Sequence, residues 1–208
     1  MSLIFFSSVV TAVSARSPNK ERKEALASLL FFTEKRDDTI KARLVGDGSK
    51  QRTYDGYDKS KGSSPTCATD SIFLTGVIDA RERRAVAMLD IENAFLHAEN
   101  DEKVLVLLRG RLAELMVKVD PSLYRKYVAT SEKGVTMLYV KLTKALYGLL
   151  CSALLFYKKL RGDLEGLGFK VNPYNRCVAN KDINGKQLTV VWYVNDLKVS
   201  HKDDPQTE

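Results

Sequence analysis

The sequence predicts an α+β domain, an antiparallel sheet with helices packed on one face. Three observations carry that prediction. Ser71–Arg83 and Ser152–Leu167 keep apolar residues at helical spacing, two hydrophobic runs near the end of the chain break at short polar turns and resume as hairpins, and Ala85-Val86-Ala87-Met88-Leu89 is an unbroken apolar run closed by Asp90. The 208 residues, 44% hydrophobic and 28% charged, can bury a sizeable core.

Taken in order, Met1–Ala15 carries no charged side chain and includes Leu3-Ile4-Phe5-Phe6. It lacks the basic flank of a secretory signal, and Ser7, Ser8 and Thr11 interrupt a stretch too short to span a bilayer, so a non-secretory start without a membrane span is expected. Ala25, Leu29 and Phe32 recur at helical spacing between Glu21 and Phe32, which predicts a helix leading into a strand over Ile40–Val45. Gly46, Gly48, Gly56 and Gly62 then mark a long loop ending near Pro65. The helix over Ser71–Arg83, capped by Thr69 or Asp70, should bury Ile72, Leu74, Val77, Ile78 and Ala80. Arg84–Ile91 reads as a strand buried on both faces.

Lys103–Leu108 and Thr136–Leu142 are strand candidates, with helices expected at Arg111–Lys118 and Ser122–Thr130. The stripe Ala153, Leu154, Tyr157, Leu160, Leu164 and Leu167 defines a last helix, stopped by Gly168. Cys177–Ala179 and Gln187–Val194 should pair through the Asn184-Gly185 turn, and a second hairpin should turn at Asn195-Asp196 before Leu197–Ser200.

Lys and Arg outnumber Asp and Glu by 33 to 26, a net +7 compatible with an anionic partner. Lys141–Arg161 holds Lys141, Lys144, Lys158, Lys159 and Arg161 with no acid, either a polyanion contact or a solvated helix face. Cys67, Cys151 and Cys177 are odd in number and lack Cys-x-x-Cys spacing, and the two His lie far apart. Neither a disulfide framework nor a zinc site is expected, and the compartment reads as reducing.

Asp90 and Asp196 each end a separate hydrophobic strand. If those strands are neighbours, the carboxylates converge, repel each other and are relieved by a divalent cation with a taste for hard oxygen ligands, Mg²⁺ above all. Each acid alone is more often a capping or turn residue than a ligand.

The motifs around these acids resemble the reverse transcriptase domain of copia-type LTR retrotransposons. Lys41-Ala42-Arg43-Leu44-Val45 is similar to a fingers block, Ser64-Pro65-Thr66 to the lead into the palm, and Leu89-Asp90-Ile91-Glu92-Asn93-Ala94-Phe95-Leu96 to the first catalytic motif. Lys144-Ala145-Leu146-Tyr147-Gly148-Leu149 is the most diagnostic string, and Gly168-Phe169 and Tyr193-Val194-Asn195-Asp196 follow in the family's order. The resemblance runs over roughly Ala25 to Asp203.

That resemblance implies a polymerase palm with fingers and no thumb. Residues 1–24 lie outside it, 25–66 are fingers-like, and 67–208 are palm-like with inserted helices. It implies RNA-directed DNA synthesis by two Mg²⁺ ions, Mn²⁺ as a substitute, in which a primer 3′-hydroxyl attacks the α-phosphate of a dNTP on an RNA or DNA template-primer. Asp90, Asp196 and position 195 would be the catalytic group, with the Ile91 carbonyl beside them as a metal ligand. Lys41 and Arg43 would hold phosphates, and Glu92, Asn93 and Ala94 would offer backbone N–H groups to the triphosphate. Phe95 would sit under the sugar and exclude a 2′-hydroxyl. Lys144, Tyr147 and Gly148, with Lys158, Lys159 and Arg161, would face the template. Bland roles stand beside these: a core aromatic for Phe95, an outward strand face for Lys41 and Arg43, a turn for Tyr147-Gly148. The implied setting is intracellular, in a cytoplasmic virus-like particle or the nucleus, with no membrane partner.

Two departures from the family pattern bear on activity. The third motif normally reads Tyr-Val-Asp-Asp, and here the first acid is Asn195, which lacks the charge that holds a cation. Leu150-Cys151-Ser152-Ala153-Leu154 stands where the family has Lys-Gln-Ala-Pro-Arg. The alternative is therefore a degenerate or repurposed fragment that binds nucleic acid without catalysis.

Overall fold

The computed structural model describes residues 8–14, 19–34, 36–53 and 58–202, without the side chains of Asn19, Lys20, Glu21, Lys41, Lys59 and Lys61. It is an α+β chain with two sheets, divided into two units: Met1–Gly62 with Phe95–Leu155, and Ser63–Ala94 with Phe156–Glu208.

The first unit is built on β1 (Val10–Val13), β2 (Leu26–Glu34), β3 (Ile40–Gly46), β5 (Leu105–Arg109), β6 (Ala129–Thr130) and β7 (Thr136–Leu142), in the order β1-β7-β5-β2-β3 with β6 on β7. All pairings are antiparallel except β2 with β5. Helices α1 (Asn19–Glu24), α3 (Arg111–Val119) and α4 (Pro121–Tyr124) accompany the sheet. Its core is formed by Val106, Leu108, Met116, Tyr124, Leu138 and Val140 with their neighbours. The helix expected over Glu21–Phe32 ends at Glu24, and Leu26–Glu34 is a strand. Leu-Leu-Phe-Phe-Thr suits a pleated surface, and pairing with Gly46–Ile40 on one side and Val106-Leu107 on the other outweighs the helical spacing. The expected helix over Ser122–Thr130 reduces to α4, where Asp120 accepts from Leu123 N, and a 3₁₀ turn before β6. Gly48–Thr53 and Lys59–Gly62 form 3₁₀ turns within the expected long loop.

The second unit holds a fully antiparallel sheet in the order β4-β11-β10-β9-β8: β4 (Ala85–Asp90), β8 (Lys170–Val171), β9 (Val178–Ile183), β10 (Lys186–Tyr193) and β11 (Asp196–His201). Its helices are α2 (Thr69–Glu82) and the Phe156–Gly166 portion of α5 (Ser152–Gly166). Residues opposite each other in antiparallel strands share a face, and successive residues alternate. Lys198 donates to Thr75 Oγ1 (2.8 Å) and Asp79 Oδ2 (2.6 Å) of α2. Trp192, paired with Leu197 on the other face, meets the Tyr157 ring of α5 at 6.3 Å between centroids. The two helices therefore lie on opposite faces, a correction to the one-face arrangement expected from the sequence.

Two further expectations about burial are overturned here. β4 is exposed at all six positions, Met88 at 70%, because it is the sheet's edge and pairs with β11 alone. An apolar run marks a strand, but topology decides whether it is central or an edge. In α2 the buried residue is Asp79, while Ile72, Phe73, Leu74 and Val77 are exposed, Phe73 at 69%. The helix turns its polar stripe, Ser71, Thr75 and Asp79, toward the sheet.

The Lys198–Asp79 pair sits at 15% and 8% side-chain exposure. Removing one partner leaves the other charge desolvated and unpaired, so Asp79→Ala should cost about 3 kcal/mol of stability, mostly regained in Asp79→Ala/Lys198→Met. Urea denaturation of the two variants beside the unaltered chain checks this; a double variant no better than the single would show that the loss is packing rather than charge.

Candidate functional site

The five-stranded sheet brings four of the sequence-predicted site residues together. Asp90 ends β4, Asp196 begins β11, and the two are Cα partners across the strands. Ile91 N donates to Asn195 O at 2.9 Å, which continues the ladder one step past the strand. Tyr193 pairs with Asp196, so the hairpin turns at Val194-Asn195, one residue earlier than the sequence suggested. Val194 carries φ 56°. A β-branched residue pays about 1–3 kcal/mol for the left-handed region, and positive φ at the first central position alone is the II′ hairpin pattern.

The turn aims Asn195 across the strands. Its Nδ2 donates to Asp90 Oδ1. The reverse amide orientation would set oxygen against oxygen, so the donating orientation follows from the neighbour. The carboxamide thereby occupies a lone pair of Asp90.

The other predicted residues fall as follows. Glu92 and Asn93 form the turn after β4, with Asn93 at φ 53°, and buried Ala94 opens a 3₁₀ turn over Ala94–His97. In the first unit, the Phe95 ring lies 4.6 Å from that of Tyr147, tilted by 50°. Arg43 is exposed on β3 opposite Phe31, and the Lys41 side chain lies outside those described. Lys144 pairs with Glu99, and Gly148 has φ 90°.

The sequence profile of the family described as reverse transcriptase (RNA-dependent DNA polymerase) matches residues 15–207. The chain belongs to that family. Its curated relatives include the Transposon Ty1-LR2 and Ty1-OL Gag-Pol polyproteins of Saccharomyces cerevisiae, each 26% identical over 182 residues, which is 87% of this chain and 9% of theirs. The Truncated transposon Ty1-A Gag-Pol polyprotein of the same yeast is also 26% identical, with 13% of its length covered. The chain thus spans about a tenth of the curated relatives it matches, and within that span it is a copia-type reverse transcriptase domain.

Reverse transcriptases as a family use divalent cations, so the donor set of this one can be tested. Asp90 and Asp196 are Cα partners on one face of the sheet, and the third polar group, Asn195, directs a hydrogen at Asp90. Among the described residues no three His, Cys, Asp or Glu side chains gather closely enough to hold a metal ion. As they stand, these residues do not fit a two-ion clamp, which needs anionic oxygens on both ions.

The basic run of this reverse transcriptase domain is less basic in space than in sequence. Lys159 pairs with Asp163 (2.6 Å) and Arg161 with Glu165 (2.9 Å), each one helical turn on, while Lys158 is exposed and has no ion pair among the described residues. The two helical pairs were readable from their i, i+4 spacing; the Glu99 partner of Lys144 was not, because it depends on the fold. No helix among the described residues is long and apolar enough to cross a membrane.

Proposed function

We propose that this chain is a palm-and-fingers reverse transcriptase domain whose ancestral reaction, two-metal transfer of a nucleotide from dNTP to a primer, is disabled at Asn195 while nucleic-acid binding persists. The observation that supports it is the Asn195 amide donating to Asp90 beside Asp196. In the ancestral chemistry cations would neutralise the acids and the reacting phosphate together; here a neutral hydrogen bond has taken over one acid. Asp90 and Asp196 remain the groups that would hold a cation, Phe95 the ring beneath the sugar, and Arg43 a phosphate contact.

The test is extension of an oligo(dT) primer on a poly(A) template with Mg²⁺, alongside binding of the same duplex. Little extension is expected, together with binding that weakens about tenfold between about 50 and about 200 mM salt, as about two cations lose their phosphates. Robust extension that vanishes in Asp90→Ala would overturn the disabled site. Binding that is absent, or indifferent to salt, would overturn the retained nucleic-acid role.

A further inference from the structure

Tyr174 is 97% exposed, the most exposed large hydrophobic side chain among the described residues of the second unit. It is not on a loose segment. Asn172 Oδ1 accepts from Tyr174 N (2.8 Å) and Asn175 N (3.1 Å), and Asn172 N donates to Val178 O (2.8 Å). Asn175 Oδ1 accepts from Cys177 N (3.0 Å), and its Nδ2 donates to Ser71 Oγ (2.7 Å), tying the turn to α2. Tyr157 Oη donates to Arg176 O (3.2 Å), tying it to α5. The ring is therefore presented by a backbone fixed on both sides, so that only its own side-chain torsions remain to be ordered on binding.

The turn's position in the sheet gives the ring a context. β9 begins at Val178 opposite Val191, and Trp192 N donates to Cys177 O (3.0 Å), so the turn lies at the same end of the sheet as Asn195 and Asp90. From β4 to β9 is three strand spacings, about 14 Å, which roughly four stacked nucleotides cover. Basic residues outnumber acids around it: Gly166–Lys181 contains Lys170, Arg176 and Lys181 and no acid, with Glu165 and Asp182 just outside. An open groove of about 540 Å³ borders the turn, lined by Lys170, Asn172, Pro173 and Lys181 and by one acid, Asp182.

We propose that the Asn172–Arg176 turn is a nucleic-acid contact, in which the Tyr174 ring stacks on an unpaired base while Lys170 and Arg176 hold the flanking phosphates. An uncovered aromatic on a fixed turn, flanked in sequence by cations, is the arrangement that single strands use, since every base offers a π-face and every linkage a charge. This rests on the retained nucleic-acid role proposed above and adds to it a site outside the motif residues.

Anisotropy of a labelled oligo(dT) strand tests it against the unaltered chain, Tyr174→Ala, Tyr174→Phe and Arg176→Gln. Tyr174→Ala should weaken binding about tenfold without changing the salt slope, Tyr174→Phe should bind as the unaltered chain does, and Arg176→Gln should reduce the slope by about 0.7. The Tyr174 side chain touches almost nothing, so folding is not at issue. If the unaltered chain binds and Tyr174→Ala binds equally well, this contact is wrong and the broader role stands; if the unaltered chain binds no strand, both fall.

Discussion

Asn195→Asp is expected to raise Mg²⁺-dependent primer extension by roughly 100-fold, the scale on which a single charge-stabilising group acts in a preorganised site. The substitution changes the sign of an interaction as well as adding a ligand. In the natural chain position 195 gives a hydrogen to Asp90. As a carboxylate it would face Asp90 with like charge, beside Asp196, and a bound cation would be the favourable way to relieve three converging acids. A second readout follows that does not depend on turnover. Without Mg²⁺, Asn195→Asp should be less stable than the natural chain by about 1–2 kcal/mol, having lost a hydrogen bond to a charged group, and Mg²⁺ should restore it. The natural chain should show little Mg²⁺ dependence of its melting temperature. If neither extension nor Mg²⁺-dependent melting changes in the variant, position 195 is not what limits the site.

How far the site could be read beforehand differs from residue to residue. The pairing of Asp90 with Asp196 was legible because an apolar run stops just before or close to each, and neighbouring strands then make them Cα partners. The Asn184-Gly185 turn was legible for a local reason: both residues take positive φ, 52° and 77°, as a type I′ hairpin requires. The next hairpin defeated the same rule. Local preference steers a turn away from Val194, yet the ladder from Leu188–His201 to Tyr193–Asp196 fixes the register and forces valine into the left-handed region. Long-range pairing outweighed propensity there, as it did in β2. Burial was the least legible property. Val86, Met88 and Leu89 look like core, but nothing in six residues says that β4 has one neighbour rather than two. Tyr174 was passed over because its signal, a ring held out by asparagine hydrogen bonds, exists only once the turn is folded.

Gly148→Ala is expected to be the most destabilising single-methyl change in the first unit, by at least about 3 kcal/mol. Gly148 has φ 90°, and a Cβ there would fall well under 3.0 Å from Gly46 O and 2.5 Å from Val45 Cγ1. The closest crowding is against the Gly46 backbone, which cannot yield as the far end of a flexible side chain would. Gly46 N donates to Tyr147 O (2.9 Å), and Gln51 Oε1 accepts from Leu150 N (3.0 Å). Gly48, whose own Cβ would collide with Gly148 O, closes the contact from the other side. Three glycines thus let the end of β3 cross the Lys144–Leu149 string at a distance no side chain permits. Gly162→Ala, inside α5 with nothing within 4 Å of a new Cβ, is the control and should stabilise by about 0.5–1 kcal/mol. Urea midpoints for the two variants should move in opposite directions. An unchanged midpoint in Gly148→Ala would mean that the crossing relaxes without cost; a fall as large as expected would mean that the glycine of the diagnostic string is needed to join it to the strand bearing Lys41 and Arg43, whatever else that string touches.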